Sequence, residues 1–162
     1  MAYPYHSILS PIQFDDPSMV ALGLAKQIAM THGATLHLLH VVPMLPAFGE
    51  PEIIEGKHTP EEGKAETMLR EIAASHLKGV KSVIHTCQAS QRGLAKAVVQ
   101  IAGEVAADLI VLKTHGRSGL SHLILGSVAE EVVRTAPCAV LTLTPAAQEK
   151  AAQLQLHPQA TT

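Results

Sequence analysis

At 162 residues, the chain is the size of one domain and long enough to bury a core without disulfides or metal. Charged residues make up 16% and the formal net charge is −2, which argues against broad electrostatic binding to nucleic acid or an anionic membrane. Two tyrosines, two phenylalanines and no tryptophan are too few rings for a base-stacking surface or an aromatic hot spot.

The first residues, Met1-Ala2-Tyr3-Pro4-Tyr5-His6, carry neither a basic n-region nor an apolar h-region, so no signal peptide is expected. No apolar run reaches the ~18–20 residues of a membrane span, and a cytoplasmic protein is expected. Ser7-Ile8-Leu9-Ser10-Pro11 reads as a first strand. Asp16-Pro17 supplies an N-cap and a proline at the first helical position. The helix that follows carries Val20, Leu24 and Ile28 at i, i+4 spacing and stops at Gly33. Thr35 to Val42 is a strand apolar enough to be covered on both faces.

Pro43 to His58, with its prolines and glycines, reads as a surface loop. Thr59-Pro60-Glu61-Glu62 is a capping box with proline in the first turn. It opens a helix with Ala65, Met68, Leu69 and Ile72 on one side. Val80 to Cys87 is a third strand, and Ser90 caps a helix whose core face is Leu94, Val98, Ile101 and Val105. Leu109 to Leu112 is a fourth strand, Ser127 to Thr135 a helix stopped before Pro137, and Ala139 to Leu143 a fifth strand. Residues 1–145 form the domain, and the Ala/Gln-rich residues 146–162 are expected to be a mobile tail. The alternation implies an α/β fold: an open parallel sheet with helices on both faces and right-handed crossovers. Ligands of such sheets bind beyond the carboxyl ends of the strands, where the winding reverses. That rule singles out Pro11 to Phe14, Val41 to Pro43 and Lys113 to Gly119.

The last of these segments is the most telling. Lys113-Thr114-His115-Gly116-Arg117-Ser118-Gly119 follows a strand, and Gly126-Ser127-Val128-Ala129-Glu130 opens a helix. Glycine lets backbone approach a ligand, and a helix N-terminus offers unpaired N–H groups and the positive end of a dipole. Together they make an anion-binding device suited to a nucleotide phosphate. Ser127-Val128-Ala129-Glu130 is also a capping box in its own right, so Ser127 has two roles open to it. Arg117 reads as a phosphate partner, a subunit contact or a solvated surface residue.

Gly116, nine residues and then Gly126-Ser127, inside Thr-His-Gly-Arg-Ser-Gly…Gly-Ser-Val-Ala-Glu-Glu-Val-Val-Arg, resembles the universal stress protein family. Ile8 to Pro11, His37 to Val42, Ala107 to Val111 and Pro137 to Leu141 add to the resemblance, which covers roughly residues 5 to 145. The resemblance implies a five-stranded parallel domain, Rossmann-like, that dimerises, and in one branch of the family binds ATP or AMP. It points to Pro11, Ile12, Gln13, Val41, Leu112, Lys113, His115, Gly116, Arg117, Gly119, Gly126, Ser127 and Val128 as the nucleotide-binding residues. Magnesium would accompany ATP.

Two positions depart from the family pattern. Lys113 stands where the nucleotide-binding branch has its first glycine, and Gln13 where an aspartate contacts the adenosine. Lysine brings a Cβ and a long stem, and an ammonium able to reach a phosphate as a point charge. Asp15 and Asp16 lie close enough in sequence to substitute in part, with Asp16 better suited to capping. Three readings follow: a stress-response regulator binding an adenine nucleotide as a homodimer, a nucleotide-free interaction module of the same fold, and a very slow ATP hydrolase. The absence of a G-x-S-x-G elbow or a Walker-type loop favours a non-enzyme.

Histidine is abundant, at ten residues, but no HExxH or Cys/His cluster occurs and no metal is expected. His37 and His40 point to opposite faces of their strand. Cys87 and Cys138 form no CxxC and suit buried positions. Ala139, Val140, Leu141, Thr142 and Leu143 form an edge strand that invites antiparallel pairing with a second copy. The protein partner that would read the bound state is unknown from the sequence.

Overall fold

The computed structural model describes residues 4–43, 59–89, 93–114 and 126–156. Five strands, β1 (Ser7–Pro11), β2 (Thr35–Val42), β3 (Ser82–Gln88), β4 (Leu109–Lys113) and β5 (Ala139–Leu143), form one sheet in the order β3-β2-β1-β4-β5. All its pairings are parallel, with Ser7 opposite Thr35 and Ile8 opposite Leu109 at the centre. Helices α1 (Asp16–His32), α2 (Pro60–His76), α3 (Leu94–Glu104), α4 (Ser127–Thr135) and α5 (Pro145–Leu156) complete the described chain.

The sheet separates two apolar layers, as its buried strands require. On one side Ile8, Leu36, Leu38 and Val111 pack against Ala21, Leu22, Ala25 and Ala29 of α1 and Leu69 of α2. On the other, Leu9, Leu39, Ile110 and Leu112 pack against Ala95, Val98 and Ala102 of α3 and Ala129 and Val132 of α4. The helix faces are set by alanine more than the larger apolar residues suggested. Val20, Leu24 and Ile28 flank the buried alanines of α1, and Leu94, Ile101 and Val105 flank those of α3. Small side chains let each helix lie close to the sheet while its larger neighbours cover the rim. Met68 departs furthest, at 43% exposed.

Three local signals are displaced. The cap of α1 is Asp15, which accepts from the Ser18 N–H in a capping box, so Asp16 is the first helical residue. The cap of α4 is Gly126, which leaves Ser127 inside the helix without a capping hydrogen bond. Helix α3 starts after Gly93, whose φ of 92° lies in the left-handed region, while Ser90 lies outside the described residues. Thr59 and Glu62 form the expected reciprocal cap on α2, at 3.2 and 2.8 Å. Helix α5 spans residues 145–156, so much of the segment read as a tail from residue 146 is helical. Pro145 is pre-set for a first turn, alanine favours helix, and the Thr144 hydroxyl accepts from the Ala147 N–H.

Ser10 is fully buried on β1, and its hydroxyl has no hydrogen-bond partner among the described residues. An unsatisfied buried hydroxyl costs about 1–3 kcal/mol. Ser10→Ala should therefore leave stability unchanged or raise it by about 1 kcal/mol in denaturant unfolding. Ile110→Ala, at a fully buried position, should lose about 2–5 kcal/mol.

Candidate functional site

The winding reverses between β1 and β4, because β2 and β3 lie on one side of β1 and β5 lies beyond β4. The carboxyl ends of these two strands therefore frame the crevice in which a ligand of this architecture sits. The β1–α1 turn, the end of β4 and the start of α4 meet there.

The β1–α1 turn is pinned on three sides. The Ile12 N–H donates to the Leu39 carbonyl at 2.8 Å, and the Ile12 carbonyl accepts from His40 Nδ1 at 2.7 Å. Because a carbonyl only accepts, that bond places the proton on Nδ1. Phe14 lies in the left-handed region at φ 56°, an outlier for a bulky side chain. Its ring packs on the His40 imidazole with centroids 4.4 Å apart. The Gln13 N–H donates to the Ser18 hydroxyl at 3.2 Å, while Gln13 as a whole is exposed.

Across the crevice, Lys113 leaves the end of β4 on the α1 side of the sheet, and its ammonium forms an ion pair with Asp15 Oδ2. Both side chains are buried, at 9% and 8% exposure. Asp15 Oδ1 meanwhile accepts from the Ser18 N–H at 3.0 Å. One carboxylate thus caps α1 with one oxygen and neutralises Lys113 with the other. Burial pushes the Asp15 carboxyl up, but hydrogen bonds from Lys113 and Ser18 outweigh it and hold the group below its ordinary value.

The far wall is the start of α4. The Gly126 N–H donates to the Thr114 carbonyl at 2.7 Å, and the Thr114 N–H donates to the Leu143 carbonyl at 3.0 Å. The Thr114 hydroxyl, 2% exposed, also donates to the Leu143 carbonyl. These bonds fix the first turn of α4 to the ends of β4 and β5. Among the described residues no side chain caps that turn, so its leading N–H groups suit an anion.

Of the residues singled out from the sequence, Pro11, Ile12 and Gln13 fall in the β1–α1 turn, Lys113 at the end of β4, and Gly126, Ser127 and Val128 at the α4 start. Ile12 is 1% exposed and faces the α1 side, whereas Val41 and Leu112 belong to the apolar layer under α3 and α4. Their side chains serve the core. His115, Gly116, Arg117 and Gly119 lie outside the described residues. The structure adds Ser18 and His40 to the crevice, beside Phe14 and Asp15. Asp15 was legible as a nearby acid. The Phe14–His40 packing was not, because nothing in the sequence announces a left-handed phenylalanine.

Removing one partner of a buried ion pair leaves an uncompensated charge, at a cost of about 3–5 kcal/mol. Asp15→Ala should approach that loss in denaturant unfolding, since it also removes the helix cap. Asp15→Asn, which still caps, should lose less. Because the folded carboxyl titrates below its ordinary 3.8, the native state binds fewer protons than the unfolded chain in that range. The pair's contribution is therefore present above about pH 4 and disappears as pH falls through the folded value. An acid-unfolding profile of Asp15→Asn should lack this component, and an unchanged profile would argue against it.

Comparison with known proteins adds to this geometry. The model of the universal stress protein family matches residues 4–144. A universal stress protein of Methanocaldococcus jannaschii is 34% identical over 149 residues, covering 86% of this chain and 82% of the relative. A universal stress protein solved in complex with cAMP superposes with a TM-score of 0.63 at 23% identity, covering 88% of this chain and 98% of that one. Another, from Archaeoglobus fulgidus in complex with dAMP, gives 0.54 at 22% identity over 88% and 98%. The two structural likenesses bear on the fold, and the family match extends across the whole of the described sheet. The chain belongs to the universal stress protein family.

Proposed function

We propose that this chain is a non-catalytic, homodimeric regulator that binds an adenine nucleotide in the crevice between β1 and β4. One observation carries the reading: the N-terminus of α4, without a side-chain cap, is tied by Gly126 and Thr114 to the end of β4 at the reversal point of the sheet. Helix N–H groups and the helix dipole suit a phosphate there, and the β1–α1 turn opposite offers Gln13 to a nucleoside. The cAMP and dAMP complexes of structurally similar proteins support the same ligand class.

In this reading Lys113 does not greet the phosphate as a free cation, because Asp15 already neutralises it. Charge recognition then falls on the α4 N-terminus, and added phosphates gain little from Lys113. The bound nucleotide would steady the segment between β4 and α4 and so alter a surface read by a partner protein. The second reading, a nucleotide-free interaction module, draws on the same ion pair, since two buried side chains occupy part of the crevice.

The homodimer rests on β5, the edge strand of the sheet. Leu141 on β5 is 37% exposed and Val133 on α4 is 48% exposed, an apolar edge that a second copy would cover by isologous pairing.

Calorimetric titration with AMP, ADP and ATP should give saturable binding at one site per chain. Asp15→Asn should strengthen ATP relative to AMP, because Lys113 becomes available to a further phosphate. Absence of heat with all three nucleotides, in both proteins, would leave the interaction-module reading in place. In sedimentation, Leu141→Arg should shift the chain from dimer to monomer by placing a charge in the paired edge. An unchanged sedimentation coefficient would move the interface away from β5.

A further inference from the structure

The described histidines include a pair that nothing in the nucleotide reading uses. His37 on β2 and His85 on β3 lie on the α3 side of the sheet, one step apart diagonally, since His85 is opposite Leu39 in the register. Their facing nitrogens, Nδ1 of His37 and Nε2 of His85, are 2.9 Å apart, and the ring centroids are 5.2 Å apart. Both side chains are only partly buried. Neighbouring Val83, on the same strand face, is 39% exposed, so this outer part of the sheet is open to solvent.

We propose that His37 and His85 form a two-histidine binding site for a copper(II) or nickel(II) ion, separate from the nucleotide crevice. Two nitrogens each ~2.05 Å from one ion, and at right angles about it, lie ~2.9 Å apart. The hydrogen bond between the rings already holds the two nitrogens at about that distance. Right-angled nitrogen ligation is the preference of copper(II) and nickel(II), and copper(II) heads the affinity order for such ligands. For both lone pairs to converge, the rings turn about χ2, a torsion that is broad for histidine. The backbone ladder holds the two Cα atoms in register while the rings turn.

The electrostatics are compatible with this chemistry. Burial lowers the pKa of both imidazoles from their ordinary value, aided at His37 by His85 and Lys81 and opposed at His85 by Glu104. Both rings are therefore neutral at pH 7, as metal ligation requires. Bringing in the ion replaces one N–H···N hydrogen bond with two metal–nitrogen bonds, and the donor ring's proton moves to its other nitrogen, so that both rings ligate as neutral imidazoles. Glu104, hydrogen-bonded to Gln100 on α3, favours a cation near His85, and Lys81 opposes one near His37. Among the described residues no group of three or more His, Cys, Asp or Glu converges to hold a metal. Water therefore completes the coordination sphere, and the ion exchanges with solvent.

The test is a titration of the full chain with copper(II) chloride, and separately nickel(II) chloride, at pH 7.5. The native chain should show one tightest equivalent. His37→Gln and His85→Gln should each weaken that equivalent by about tenfold or more, since losing a ligand costs at least as much as losing a residue that orients one. His76→Gln, on α2, should leave it intact. Proton resonances of the native chain give a second readout that needs no variant. Substoichiometric copper(II) should broaden the ring signals of His37 and His85 before those of the other histidines. Unchanged affinity in both variants, no binding at all, or earlier broadening at other histidines would each overturn the proposal. None of these outcomes depends on whether the chain binds a nucleotide.

Discussion

The crevice at the heart of this molecule depends on one buried contact, the ion pair between Asp15 and Lys113. Lys113 ends β4, and Asp15 caps α1, so the pair joins the two halves of a doubly wound sheet at the point where they separate. Neither residue could stay buried without the other, because taking a lone charge out of water costs several kcal/mol. Asp15 is additionally held by the Ser18 N–H, and Ser18 in turn accepts from Gln13. A change at Lys113 is therefore felt at the cap of α1 and along the turn that faces the ligand position.

The pair also recasts the two departures from the family pattern. A lysine in place of glycine and a glutamine in place of aspartate look like independent losses in the sequence. In the fold, Asp15, two residues beyond Gln13, is the ion-pair partner of Lys113. The two positions compensate one another's charge. The crevice keeps its helix N-terminus and its backbone wall, while its floor becomes an internal ion pair. In the proposed reading, phosphate recognition falls to backbone N–H groups at the start of α4.

Much of the architecture was legible beforehand, and for physical reasons. Strands such as Leu109–Leu112 and Ala139–Leu143 are short apolar runs bounded by polar or proline residues, and the helix-start signal at Thr59-Pro60 has a direct structural counterpart. The errors cluster where a residue could serve two neighbouring positions. Asp15 and Asp16 are both good caps, and only the Ser18 side chain, closing the box on Asp15, decides between them. Ser127 and Gly126 compete likewise, and the bond from Gly126 to Thr114 settles the matter through tertiary structure. The segment after Pro145 lacked an apolar stripe, yet helical propensity, the Thr144 cap and the Gln148 amide bond to the Leu143 carbonyl support a helix. The meeting of His37 with His85 arises from strand register across 48 residues of sequence, which no local pattern encodes.

The measurement closest to the central claim is mass spectrometry of small molecules released when freshly purified protein is denatured. A crevice that binds adenine nucleotides through the α4 N-terminus predicts a near-stoichiometric adenine nucleotide, lost in a Gly126→Val variant that stays folded. An empty native protein, whose melting temperature does not move when AMP or ATP is added, would contradict the account and leave the ion pair as a closed structural floor.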